Sequence, residues 1–374
     1  MQGEFKILLH SKNWRFMLVD IEKLLEQKSK EIDSIIEKWV PKSYDNKTLE
    51  SMFGKARYSY SANAANKALS EPIWDLLSRG GKRWRPALMM LICEALGGDP
   101  AKHKDWVAIP ELVHNGTLMV DDVEDGSELR RGKPCVHKTY GVDIAVNAGN
   151  AMYYLPLQVM LQSNLPADVL LKAHQIYTQE MINISLGQGM DIAWHKGIAD
   201  ADSISEQEYL QMCAYKTGTL ARMAAKLGAL LANASDDTIE KMGEFAEAVG
   251  VGFQIQDDVL NLTATSGKNH FTKDYIGEDI HEGKRTLIVI HALSKASPAD
   301  KARLLEILKM HTWDRALIDE AIEMMKKYGA IDYARKRSQE IVQSAWQKAE
   351  QLMQKGTAKD TLKAFVEFMV LRQY

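Results

Sequence analysis

The 374-residue chain is 46% hydrophobic and 26% charged, the profile of a soluble globular protein with apolar material for a sizeable core. Lys and Arg number 47 against 50 Asp and Glu, a formal net charge of −3, so no global basic field exists to attract nucleic acid or anionic lipid, and any phosphate affinity is local. Three scattered cysteines, Cys93, Cys135 and Cys213, form no C-x-x-C pair, which argues against a disulfide framework or a structural zinc site and fits a reducing cytoplasm.

From the N-terminus, FKILLHSKNWRFML is broken by charge and does not read as a signal-peptide core. No apolar run approaches the roughly 20 residues that cross a bilayer, so no transmembrane segment is expected. Ile21, Leu24, Leu25, Ile32, Ile35, Ile36 and Trp39 then fall on one helical face before Pro41 stops the helix. Residues 41 to 70 are polar and read as a loose connection. Beyond them nearly every segment keeps the helical period, strand-like alternation is scarce, and only nine prolines occur, so a single all-α domain is expected. The division anticipated is an N-terminal helical extension over 1–70 and the main domain over 71–374.

Charge clusters interrupt this pattern in chain order. GGKRWRP brings Lys82, Arg83 and Arg85. MVDDVEDGSELRRGKP, from Met119 to Pro134, sets four acids within five positions and then three bases within four. Helical spacing puts His114, Thr117, Leu118, Asp121 and Asp125 on one face, so two carboxylates converge. Like charges at that spacing disfavour a bare helix by about 0.2–0.5 kcal/mol, which a solvated helix tolerates and a bound divalent cation would reverse. Further on, Tyr209, Met212, Cys213, Lys216, Leu220, Met223 and Leu227 share a stripe in which Lys216 stands where leucine is expected, a snorkelling lysine being the alternative.

Met242, Phe245, Ala246, Val249 and Phe253 form a core-facing stripe whose next members are Asp257 and Asn261, in the run FQIQDDVLN. A carboxylate pointing inward demands a cation, a lysine partner or a tight hydrogen-bond network. GEDIHEGKRT adds Lys284 and Arg285. Two acidic clusters on different helices and several basic ones suit oxygen-bound divalent metal together with guanidinium and ammonium contacts to a diphosphate.

The series GGKRWRP, ELVHNGTLMVDDVEDGSELRRGKP, VHKTYGVDIAVNAGNA, SLGQGMDIAW, YKTGTL, FQIQDDVLN and KDYIGEDIHEGKRTL resembles the trans-prenyltransferase family, the polyprenyl synthetases that extend allylic diphosphates with isopentenyl diphosphate. The resemblance implies an all-α isoprenoid-synthase bundle around a deep central cavity, usually a cytoplasmic homodimer. It implies Mg2+, with Mn2+ as the alternative, held by Asp121, Asp122, Asp125, Asp257 and Asp258. Arg130, Lys216 and Lys273 would contact the allylic diphosphate, with Lys284 a further substrate-binding base. Lys82, Arg85, His114 and Arg131 would hold the diphosphate of isopentenyl diphosphate. Thr217 and Gln254 would line the place where the cation forms, and Asp121, Asp122, Lys216, Thr217, Gln254 and Asp257 make up the catalytic set. Gln188 and Asp191 would stand behind the ligands.

Three positions depart from the pattern. Asn261 replaces an aspartate, Asn150 stands where aspartate is common, and Trp84 stands where an aliphatic is usual. A class I terpene cyclase shares the fold but would want a hydroxyl at position 261 and glutamate at 265, where this chain has Asn261 and Thr265. A non-catalytic subunit of a heteromeric synthase commonly degrades an aspartate motif, and the first one here is complete. Product length in the family follows side chains one or two turns before the first aspartate motif, here Val113, Gly116 and Thr117. None is aromatic, so the expectation is an open floor and geranylgeranyl length or longer, with a farnesyl-length enzyme as the alternative. Tyr153 or Tyr154 is the candidate plug from a neighbouring helix.

Overall fold

The computed structural model describes residues 14–263 and 276–371, so Lys273 and Thr265 lie outside the described residues. The expected N-terminal helix is Trp14–Trp39, and its stripe Ile21, Leu25, Ile32, Ile35 and Ile36 is buried. These side chains belong to the same apolar cluster as Leu88, Ile92, Leu112 and Phe365, so the described part of the 1–70 stretch shares its core with the rest. Each fully buried Ile or Leu there contributes roughly 1.5–3 kcal/mol.

The loose connection anticipated over 41 to 70 is a correction. It contains the helix Asn46–Phe53, capped by the Asp45 carboxylate accepting from the Thr48 amide at 2.7 Å, and a π-helical turn at Asn66–Ser70. Asn66 exchanges two hydrogen bonds with the Tyr44 backbone at 2.7 and 2.9 Å, and the Trp74 indole donates to the Val40 carbonyl at 2.9 Å. The polar residues there act as caps and cross-links rather than as a linker.

Among the described residues helices dominate, with one two-residue hairpin, Leu129–Arg130 against Lys133–Pro134. The helix Asp236–Thr263 runs through the centre, packed on Thr219–Leu231 and Ala330–Ala349. The aspartate helix Ala108–Glu124 packs on Val142–Tyr154, and Trp84–Ala95 contacts both Thr219–Leu231 and the C-terminal helix Thr357–Leu371. A second apolar cluster, with Ile255, Val259, Leu287, Ile307 and Met325, closes the other end.

Two helices that flank the centre are shaped by local irregularity. Between Glu206–Cys213 and Thr219–Leu231 the chain makes a π-helical turn, Ala214–Gly218, which carries Lys216 and Thr217. Such turns concentrate at functional sites because the extra residue re-aims side chains. The long helix Ala167–His195 approaches that turn at Gly187, where an added Cβ would run into the backbone of Tyr215 and Lys216. Gly187→Ala should therefore lower stability by about 1–3 kcal/mol through overpacking. Denaturant unfolding measures this, and an unchanged midpoint would show that the two helices have room to separate.

Candidate active site

The helices enclose a cavity of about 680 Å³ lined by both acidic clusters and most of the predicted bases. Asp121, Asp125, Asp257, Asp258, Lys82, Arg85, His114, Thr117, Arg130, Arg131, Lys216, Thr217, Gln254 and Lys284 all contribute to its wall. Residues from separate stretches of sequence meet there, among them the central helix, the aspartate helix and the long helix.

In the first cluster each aspartate has its own base. The Lys216 ammonium lies 3.3 Å from Asp121 Oδ1 and 2.5 Å from Asp191 Oδ2. Burial opposes charge on Asp121, but Lys216, Lys284 and Arg130 outweigh it and hold the carboxyl well below its ordinary range. Burial likewise works against the Lys216 charge, and Asp121 and Asp191 overcome it. Gln188 donates to Asp121 Oδ1 and to Glu124 Oε2, both at 2.8 Å. Lys284 reaches Asp125 at 3.6 Å and Glu282 at 2.5 Å. Burial, then the neighbouring Asp121 charge, pushes Asp125 upward.

Asp122 differs from its expected role as a metal ligand. It is buried, absent from the cavity wall, and accepts from Arg130 Nε at 2.7 Å. Successive helix residues point about 100° apart, and here that step turns Asp122 from the cavity into the interior. Arg130 is thereby fixed beside Asp121, 3.6 Å away. Asp258 also stands behind the wall's leading acid: Tyr209 donates to its Oδ2 at 2.7 Å and Gln254 to its Oδ1 at 2.8 Å. Thr217 donates to Gln254 Oε1 at 2.8 Å and completes the chain. Burial, then Asp279, pushes Asp258 up to about 8. Asn261 Oδ1 accepts from the Asp279 amide at 3.2 Å, so this departure from aspartate anchors the segment after the central helix.

Part of the cavity wall is basic. Arg85 is 6% exposed, its Nε has no hydrogen-bond partner, and burial lowers it to about 10, which leaves it charged at neutral pH. Burial, reinforced by Arg85 and Arg131, drives His114 well below its ordinary range, so the ring is neutral. Arg131 is anchored on the Gly80 carbonyl and lies 3.4 Å from Asn115 Oδ1. Arg83, from the same basic motif, turns away at φ +48° and is consumed by Glu111 at 2.7 Å and Asp33 at 2.9 Å.

Divalent metal fits the acids present. Asp121, Asp125 and Asp257 offer oxygen donors to one cavity, and buried Asp125 Oδ1 has no hydrogen-bond partner. Among the described residues no three acids or imidazoles converge closely enough to grip a cation unaided. His195, Glu124 and Glu282 also line the cavity and were not singled out from the sequence. His195 has a readable signal, since it follows Gln188 and Asp191 at spacings of three and four on one helix face.

The product-length positions divide. Thr117 lines the cavity, but Val113 is fully buried outside its wall, and a Cβ on Gly116 would meet the Gly149 carbonyl at 2.8 Å. The open floor is corrected: the Tyr153 ring fills the space that Gly116 leaves, 3.0 Å from such a Cβ, while Tyr154 is exposed.

Raised carboxyl affinity for protons has a sign that can be checked. Asp258 binds its proton more tightly folded than unfolded, so its contribution is present below about pH 4 and declines as pH rises through about 8. Metal-free protein should lose stability between pH 5 and 8 relative to Asp258→Asn, followed by thermal unfolding across that window. Parallel curves for the two proteins would contradict the assignment.

Comparison with known proteins gives one family. The polyprenyl synthetase family model matches residues 66–325. A short chain isoprenyl diphosphate synthase of Methanothermobacter thermautotrophicus is 32% identical over 80% of this chain and 89% of its own length. A geranylgeranyl diphosphate synthase of Sulfolobus acidocaldarius is 33% identical over 82% and 91%. The crystal structure of geranylgeranyl pyrophosphate synthetase from Pyrococcus horikoshii superposes with a TM-score of 0.78 at 29% identity, covering 97% of this chain and all of that one.

Proposed function

Because the chain belongs to the polyprenyl synthetase family and is a prenyltransferase, we propose that it elongates allylic diphosphates by head-to-tail condensation with isopentenyl diphosphate, dependent on magnesium. The observation that carries this reading is a single cavity lined both by Asp121, Asp125 and Asp257 and by the bases Lys82, Arg85 and Arg131. One diphosphate needs cations bridged by acids, and the other needs bases alone.

Asp121, Asp125 and Asp257 would hold magnesium, which supplies charge to the leaving diphosphate when bound. Lys216 and Arg130 add fixed positive charge beside Asp121, so charge developing on the departing oxygen meets dipoles and cations already in place. Lys82, Arg85, Arg131 and neutral His114 orient the second diphosphate and leave its alkene toward the allylic carbon. Thr217 and Gln254, locked to each other and to Asp258, present oxygen dipoles where the allylic cation forms. The allylic C–O bond breaks, a C–C bond forms, and a proton passes to the released diphosphate, which regenerates an allylic product.

We take the product as geranylgeranyl diphosphate, supported by the Tyr153 floor and by relatives that bear that name. We take the assembly as a homodimer, supported by exposed Leu171, Ile182 and Leu186 recurring along the long helix. The cytoplasm suits three buried free cysteines, and no described helix is long and apolar enough to cross a membrane.

Incubating the purified chain with labelled isopentenyl diphosphate and allylic primers should give labelled prenyl product that EDTA abolishes. Asp121→Ala should lower kcat on the order of 10²-fold, while Arg85→Ala should chiefly raise KM for isopentenyl diphosphate. Absence of product with every primer would favour a non-catalytic subunit. Tyr153→Ala should lengthen the product beyond that of the parent protein by chain-length analysis, with the first condensation retained. An unchanged length distribution would place the floor elsewhere.

A further inference from the structure

Two helices end side by side at the cavity. The aspartate helix Ala108–Glu124 closes on Asp125, its C-cap, and the long helix Ala167–His195 closes on His195. Lys196 ties the two ends together, its ammonium donating to the Glu124 carbonyl at 2.9 Å. Each end is the negative pole of a helix, which favours a cation nearby.

Along the cavity face of the long helix, Gln188 donates to Asp121 and Glu124, and Asp191 accepts from Lys216. His195 is the next residue on that face and is engaged differently. It lines the cavity, its side chain is 9% exposed, and its buried Nδ1 has no hydrogen-bond partner. Its Nε2 stands 3.8 Å from Asp125 Oδ1, beyond hydrogen-bond reach, and that carboxylate oxygen is buried and unpartnered as well. Lys284 lies against the other oxygen, Oδ2, at 3.6 Å. Buried polar atoms left without partners in a native fold point to a ligand. A nitrogen and an oxygen at this separation lie within the span of two metal bonds of about 2.0–2.2 Å each. Imidazole is a softer donor than carboxylate and draws Co2+ or Mn2+ more than it draws Mg2+, which is an oxygen-seeking ion.

We propose that His195 supplies a nitrogen donor beside Asp125 Oδ1, so that the metal held at the first acidic cluster has one imidazole among its ligands and the site takes Co2+ and Mn2+ more tightly than its carboxylates alone would. The inference rests on the proposed assignment of Asp125 to metal. The remaining ligands are diphosphate oxygens and water, since among the described residues no third acid or imidazole joins this pair closely enough.

Pulsed EPR on the full chain with one equivalent of Mn2+ and inorganic pyrophosphate reads nitrogen bonded to the ion. The parent protein should show it, and His195→Phe, which keeps a ring and loses both nitrogens, should not. The ratio of the Mg2+ to the Co2+ dissociation constant, measured by calorimetry with pyrophosphate present, should fall on the order of tenfold in His195→Phe. Should thermal melting show His195→Phe to be unfolded, His195→Gln makes the same comparison with an amide in place of the imidazole, and the same outcomes decide. Bound Mn2+ without nitrogen in the parent, a nitrogen signal that survives in the variant, or an unchanged ratio would overturn the proposal. Parent protein that binds no Mn2+ with pyrophosphate sinks the metal assignment and this inference with it. Parent protein that makes EDTA-sensitive product yet shows no bound nitrogen sinks the inference alone.

Discussion

Charge buried among apolar helices has to be met by opposite charge, and the pairing of Lys216 with Asp121 and Asp191 is where this molecule meets that requirement. The three side chains come from three helices, so the ion cluster also fixes their mutual spacing. Removing one partner from such a cluster leaves an uncompensated charge, typically a loss of 3–5 kcal/mol. Asp122 with Arg130 and Asp125 with Lys284 repeat the arrangement. Acids that suit a metal and bases that suit a phosphate are thus stored against one another in this part of the site.

Orientation within that balance comes from neutral groups. The chain Thr217 to Gln254 to Asp258, completed by Tyr209, ties the π-helical turn and the helix before it to the central helix through a run of three hydrogen bonds of 2.7 to 2.8 Å. Asp257 is left as the member of its pair that leads into the cavity, and its neighbour holds the scaffold. Division of labour between adjacent aspartates recurs in the first cluster, where Asp121 faces the cavity and Asp122 the interior.

Much of this was legible from helical spacing. The stripes that carry Asp121, Lys216 and Asp257 all arrive at one cavity, because a polar residue on an apolar face has to point where the face points. Asp122 was misread because a motif names residues without giving their azimuth, and one step along a helix changes direction by about 100°. Gly116 was misread for a different reason: an absent side chain looks like space, yet space between helices belongs to whichever neighbour fills it, here Gly149 and Tyr153. The polar stretch at 41 to 70 failed as a linker because caps and buried amide pairs share its composition, and their partners, such as Asn66 with Tyr44, are distant in sequence.

The hairpin at Leu129–Pro134 does something no helix in the fold does. Arg131 and Gly132 occupy its turn at φ +56° and +72°, the left-handed geometry that suits a two-residue connection between twisted strands. Arg130 leaves it toward Asp122 and Arg131 toward Gly80 and Asn115. Neighbours in sequence, about 3.8 Å apart at their Cα atoms, are thereby sent to different partners, one to the buried carboxylate beside Asp121 and the other to the backbone of the first basic motif. The length of this turn, and not only its side chains, therefore sets which arginine serves which partner.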